Sequence, residues 1–381
     1  MGERVAELEA RFSEFSGMHA LMVANGSVAN QLVFELWKVK HPDEPLPLVI
    51  VPAVTWVSSI SPILMAGFPV QFCDVNLIDF SFDYGALERQ MESATARGQR
   101  VIIWPTALIG FSPDMARLRR LAAKHGADLY LDSCENTFSR LPTEEGYVWA
   151  DAMGGDPLTG SILASADITT TSGYVSHHWS TVEGGLVFFR YQDDYDLGRL
   201  FRNHGLTRSL PADHPLRQQI QRDNPTVDPQ FLFALAGTNM RPTDVHAMFG
   251  LRDFERIPQS REHRNRIYRL FHDLLDHDAY YLPPLSETHV GFCLPIFVRR
   301  EGALPEVKAA LAGAGIESRP IIGANLLRQP PFKAYGRPED FPNAEWIHWH
   351  GTYCGLHSGV TEQMVRDLTD LLNGLALKAA A

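Results

Sequence analysis

The feature that most limits what this chain can become is an alternation. Through the first two-thirds, short runs of apolar and β-branched residues trade places with stretches of helical period. Residues 49–53, 70–75, 101–106, 128–132, 168–171 and 186–189 read as strands. One intervening helix can be read in detail. Ser112 is a candidate N-cap, Pro113 suits the first helical position, and Asp114 complements the dipole. Met115, Leu118, Leu121 and Ala122 share a face, and Gly126 stops the helix. Such alternation builds βαβ units, hence an α/β domain whose large, mainly parallel sheet has helices on both faces. Ligands of such sheets sit beyond the carboxyl ends of the strands.

After Arg241 the pattern changes. A helical stretch over 242–275 leads to the turn at Pro283 and Pro284. A strand-like run at 291–298, a helix over 305–314 and a last helix over 361–377 make a smaller α+β unit. The expected division is a large domain, 1–245, and a small C-terminal domain, 246–381. The polar, proline-containing segment 211–228 reads as a loop excursion.

Two domains also suit a length of 381 residues, too long for one small core. The apolar run at 46–54 is far too short to span a bilayer. Glu3, Glu7 and Glu9 stand where a signal peptide would be apolar, so a cytoplasmic protein with no membrane partner is expected. The net charge of −11, with no basic stripe to offset it, argues against a nucleic-acid partner. Cys73, Cys134, Cys293 and Cys354 are widely scattered, without the spacing of a metal site or an iron–sulfur cluster.

Several polar clusters fall near the expected strand ends, each weak by itself. Gly26 and Ser27 open a helical run directly after Leu21, Met22 and Val23; this is either a plain cap or an anion site made of free N–H groups and the positive dipole end. Asp132 ends a strand and serves equally as a cap or as the carboxylate that keeps a pyridine nitrogen protonated. Trp56 is either core or a stacking surface. More telling is the stretch from Thr169 to Gly185, with its hydroxyls, the adjacent His177 and His178, and the turn Glu183-Gly184-Gly185. Ser172 there can hold a phosphate, and an imidazole can trade protons near neutral pH without a large shift. A polar loop with a surface histidine and a metal site are the other readings. Neighbouring histidines in extended chain point apart, which makes them poor joint ligands.

Taken in order, these motifs resemble the DegT/DnrJ/EryC1/StrS sugar aminotransferase and dehydratase family of fold-type I pyridoxal-phosphate enzymes. The likeness runs from Gly2 almost to the C-terminus. It passes through Asn25-Gly26-Ser27-Val28-Ala29-Asn30, Pro52-Ala53-Val54-Thr55-Trp56, Leu131-Asp132-Ser133-Cys134-Glu135, Ser172 to Gly185, His204-Gly205-Leu206-Thr207-Arg208, Asn239-Met240-Arg241-Pro242 and Gly315-Ile316-Glu317-Ser318-Arg319-Pro320. In the family's aminotransferases the fifth residue after the phosphate-binding serine is the lysine that anchors the cofactor. Here that residue is His177, and no lysine lies between Lys124 and Lys308.

The resemblance therefore implies the dehydratase branch, which uses pyridoxamine 5'-phosphate held non-covalently. Its substrates are nucleotide-linked 4-keto-6-deoxyhexoses, with GDP-4-keto-6-deoxymannose favoured, and glutamate is the amino donor. It implies His177 as the catalytic base. Asp132 meets the pyridine nitrogen, Glu135 stands where aminotransferases carry glutamine near the ring hydroxyl, and Trp56 stacks on the ring. Gly26, Ser27 and Ser172 bind the phosphate. Asn239 reaches the phosphate from a second subunit, so a homodimer with shared sites is implied. Ser176, His204, Glu317 and Arg319 are the substrate candidates; no metal and no iron–sulfur cluster is expected. Relatives usually carry about one more helix and loop before the part matching Gly2, which leaves a piece of the expected site rim unaccounted for. A lysine-independent aminotransferase and an inactive scaffold are the rival readings.

Overall fold

The computed structural model describes residues 1–141, 161–286 and 288–380. In chain order the elements are α1 (Glu3–Ser16), β1 (His19–Val23), α2 (Gly26–Lys40), β2 (Leu48–Pro52), α3 (Ser61–Met65), β3 (Val70–Cys73), α4 (Tyr84–Ala96), β4 (Val101–Ile103), α5 (Met115–His125), β5 (Asp128–Asp132), β6 (Ile168–Ser172) and β7 (Gly185–Phe189). There follow α6 (Gln192–Arg202), α7 (Pro215–Asp223), α8 (Asp244–Phe254), α9 (Ile257–Leu274), β8 (Tyr280–Tyr281), β9 (Cys293–Val298), α10 (Leu304–Gly313), β10 (Ser318–Pro320), α11 (Pro342–His350), β11 (Gly351–Gly355) and α12 (Glu362–Ala380).

The described strands form two sheets. The larger has the order β1-β7-β6-β5-β4-β2-β3. β2, β3, β4, β5 and β6 pair in parallel, while β7 runs antiparallel to both β6 and β1. The smaller sheet, β10-β11-β9-β8, is antiparallel. The alternation in the sequence thus becomes the expected α/β architecture, with a smaller α+β part beyond it.

Side-chain alternation along the strands splits the core in two. Leu21, Val49, Ile102, Tyr130 and Val187 face the layer that holds Leu32, Val33 and Trp37 of α2. Their neighbours Ala20, Ile50, Ile103, Leu129 and Phe188 face Leu87 and Met91 of α4 and Leu118 and Leu121 of α5. The interiors of β1, β2, β4, β5 and β7 are consequently apolar on both faces, whereas β6 buries Thr169, Thr170 and Thr171 next to the strand ends where polar groups collect. No described helix is long and apolar enough to cross a membrane.

Four local expectations need correction. The cap of α5 is Asp114, whose carboxylate accepts from Arg117 N–H at 2.9 Å. Ser112 is instead drawn into tertiary bonds, donating to Thr288 O and accepting from Asn136 Nδ2. The helical stretch 242–275 divides into α8 and α9 at Glu255 and Arg256. Pro258 cannot donate to the carbonyl four residues back, so it sits in the first turn of a new helix. The excursion at 211–228 carries α7, none of whose residues is buried; without a buried face it leaves no apolar period to read. Finally β1, β8, β10 and β11 add strands beyond those the sequence indicated.

Candidate functional site

A cavity of about 840 Å³ opens where the carboxyl ends of the parallel strands meet the small sheet. Its floor is the end of β5. Asp132 is 2% exposed and its Oδ2 accepts from Asn30 Nδ2 at 2.9 Å and Ser59 Oγ at 2.6 Å. Cys134 N–H donates to Oδ1 at 3.1 Å, and Thr170 Oγ holds Asn30 Oδ1 at 2.6 Å. With three donors the carboxylate has one orientation, and buried polar networks of this completeness are stiff. Both readings of Asp132 keep a structural basis: it lies on the cavity floor, and it holds the N–H of Cys134 two residues on.

The cradle beside it comes from α2. Asn25 caps the helix through Val28 N–H at 2.9 Å, and Asn25, Gly26, Ser27 and Val28 all line the cavity. A Cβ on Gly26 would lie 2.7 Å from Ser172 Cβ, and one on Gly185 would lie 2.5 Å from Asn25 O. Only glycines let the β1–α2 turn press against the end of β6 this closely. The result puts a helix N-terminus, Ser27 and Ser172 on one wall, a donor set suited to a phosphate. Trp56, 55% exposed, lines the same cavity with its ring still available for stacking.

Residues 173–184 form an excursion between β6 and β7. Its neck is closed by Gly173 N–H to Gly184 O and Thr181 N–H to Gly173 O, both 2.8 Å. The fully buried Trp179 pins it against Phe12 of α1. His177 lies at the cavity wall with Nδ1 3.4 Å from Ser172 O. A carbonyl only accepts, so Nδ1 carries the proton and Nε2 is the free base. Burial lowers the His177 pKa to about 4, which corrects the expectation of an imidazole with little shift. His178 is not on the lining. It is 4% exposed, packs against Phe138 and Phe292, and is held well below the usual histidine range by burial, with Arg264 adding to the effect.

Nine of the expected site residues line this one cavity: Gly26, Ser27, Trp56, Asp132, Glu135, Ser172, Ser176, His177 and Arg319. Three do not. Asn239 is exposed, its side chain accepting from Arg241 Nε at 3.0 Å. His204 sits in a positive-φ turn outside the lining, and Glu317 pairs with Arg319 on the rim at 2.8 Å. Reading the sequence assigned no role to Asn30, Ser59 and Thr170, which orient Asp132, or to Phe292, just before β9, and Tyr353 of β11. Asn30 did leave a signal: an amide four residues after Gly26 on the buried face of α2. No lysine is among the described residues that line the cavity.

The chain is similar to GDP-4-keto-6-deoxy-D-mannose 3-dehydratase of Yersinia pseudotuberculosis, 28% identical over 98% of this chain and 91% of that protein. It is also similar to GDP-perosamine synthase of Caulobacter vibrioides, 24% identical over 95% of this chain and 87% of that one. Among solved structures, an Escherichia coli GDP-4-keto-6-deoxy-D-mannose-3-dehydratase with bound hydrated PLP superposes with a TM-score of 0.83. It is 23% identical and covers 98% of this chain and 92% of its own, a likeness of fold. The profile of the DegT/DnrJ/EryC1/StrS aminotransferase family matches residues 1–373, and the chain belongs to that family.

Proposed function

We propose that the chain is a 3-dehydratase of nucleotide-linked 4-keto-6-deoxyhexoses. GDP-4-keto-6-deoxymannose is the favoured substrate and glutamate the amino donor. The observation that carries this reading is the imidazole of His177 at the cavity wall, five residues after Ser172, in a lining without lysine. Pyridoxamine phosphate held there without a covalent link would supply an amine for the 4-keto carbon and a ring that accepts electrons. The donor set fits such a group. Asp132 would face a ring nitrogen, Trp56 would stack on the ring, and Gly26, Ser27 and Ser172 would bind the phosphate. His177 takes up a proton at Nε2 and returns it to the departing C3 hydroxyl, which leaves as water. Ser176 and Arg319 meet the sugar nucleotide, while His204, Glu317 and Asn239 act only where a second copy or a moved rim brings them to the cavity.

The likeness to GDP-perosamine synthase favours one other reading, an aminotransferase that works without lysine. Mass analysis separates the two. With pyridoxamine phosphate and glutamate present, a panel of nucleotide-linked 4-keto-6-deoxysugars should yield a 3-deoxy ketone lacking one oxygen and carrying no nitrogen. A 4-amino sugar as the sole product would overturn the dehydratase reading.

A further inference from the structure

Two carboxyl groups share the cavity floor, and the fold treats them differently. Asp132 has three donors, whereas the one hydrogen bond that the described residues give Glu135 is from Ile109 N–H to Oε2, at 2.8 Å. Glu135 is 9% exposed and lines the cavity. The Ile109 donor is deliberately placed. Ile109 holds φ +45°, a costly conformation for a β-branched residue, and Gly110 follows at φ +91° with room for no Cβ, since one would lie 2.1 Å from Val290 O. The turn that aims this N–H at Glu135 is thus locked between both parts of the chain.

The charges facing Glu135 are few. From its own turn come Asp132 and the Cys134 thiol; from β9 and β11 come Cys293 and Tyr353. Burial holds both thiols well above their usual range and lifts Tyr353 to about 12, so all three are neutral at neutral pH. The other ionisable groups on the described lining are Tyr174, Glu183, Arg319 and His177; Arg319 is bound to Glu317, and burial keeps His177 neutral. A buried carboxyl with one donor and no cation at hydrogen-bond distance among the described residues, and with a carboxylate three residues away, favours its neutral form. Burial foremost, then the Asp132 charge, raises Glu135 to about 8 against the opposing Ile109 bond.

We propose that Glu135 works as a neutral carboxylic acid, with Oε2 fixed by Ile109 N–H and Oε1 carrying a proton that it offers as a hydrogen bond to an anionic ring oxygen of the group bound beside Asp132. This deepens the reading of the cavity as a pyridoxamine phosphate site and rests on it. A glutamine amide would give the same donor permanently. The carboxylic acid gives it only until it ionises, whereupon a second carboxylate beside Asp132 repels the oxyanion. The site therefore carries a built-in alkaline limit to cofactor retention.

The test begins on the cofactor-free protein, by infrared difference spectroscopy of wild type against Glu135→Gln. A protonated-carboxyl C=O band absent from the variant should be present at about pH 6 and gone by about pH 10. If no such band is present at the lower pH, the proposal is overturned. Equilibrium dialysis of pyridoxamine phosphate supplies the second arm. The wild-type to Glu135→Gln affinity ratio should fall about tenfold per pH unit above the transition, because the cofactor's own titrations cancel in it. A ratio that stays constant with pH also overturns the proposal. Should Glu135→Gln fold poorly, Glu135→Met removes the band equally well. Because the infrared arm uses neither sugar nor cofactor, a failed dehydratase assay leaves it standing, and a missing band leaves the dehydratase reading untouched.

Discussion

His177 and His178 are adjacent in sequence and opposite in circumstance. One imidazole lines the cavity with its Nδ1 tied to Ser172 O; the other is packed between Phe138 and Phe292. The expectation of divergence assumed extended chain, whereas the pair sits in a turn closed by His177 N–H to Tyr174 O at 2.9 Å. Which of the two faces the cavity followed from counting five residues beyond Ser172, and the size of the His177 shift did not follow at all, since burial is a property of the packed molecule. If His177 is the base, His177→Asn should bind pyridoxamine phosphate as wild type does yet lose about 10²- to 10⁴-fold in single-turnover rate. His178→Asn should lower the unfolding temperature and leave the rate within about tenfold. Equal rate losses in the two variants would refute a base at His177.

At the scale of elements, the cradle depends on how closely the N-terminus of α2 approaches β6. Gly26 marks the contact, and the sequence offered a glycine and a hydroxyl at a helix start without showing what they abut. Gly26→Ala must displace Ser172 or the helix, at a cost of about 1–3 kcal/mol. The expected outcome is at least tenfold weaker pyridoxamine phosphate binding by dialysis, with the helix content unchanged by circular dichroism. Gly313→Ala, whose Cβ meets nothing within 4 Å in α10, is the control and should leave binding unaltered. Strands and helices with a strong period were readable from residues alone. The break between α8 and α9 hangs on one proline, and α7 has no buried face, so neither left a periodic trace.

For the whole molecule, α8 is informative. Gly250 lies against Thr181 and Trp179, while Val245, Met248 and Phe249 form an exposed apolar face at helical spacing. We propose that a second copy covers this face and that Asn239, exposed just before α8, completes the partner's phosphate site. Mixed dimers test the sharing. Asn239→Asp sets a carboxylate against the phosphate and should inactivate alone, as should His177→Asn. Random reassociation of the two should restore about a quarter of wild-type activity, since half the dimers then hold one intact site. No recovery on mixing would mean that Asn239 acts within its own chain, or not in the site.

The strand-and-helix alternation of the large sheet, the sheet class, the histidine in place of lysine and the membership of the family were all legible in the sequence. Each depends on local period or on residue identity at a fixed spacing, and both survive in one dimension. The tertiary structure decided that Asn30, Ser59 and Thr170 orient Asp132, that Phe292 and Tyr353 line the cavity from the C-terminal part, and that Glu135 has a single donor among the described residues. Those facts belong to contacts between segments tens to hundreds of residues apart. Desolvation and the count of hydrogen bonds at a carboxyl exist only once those segments have packed.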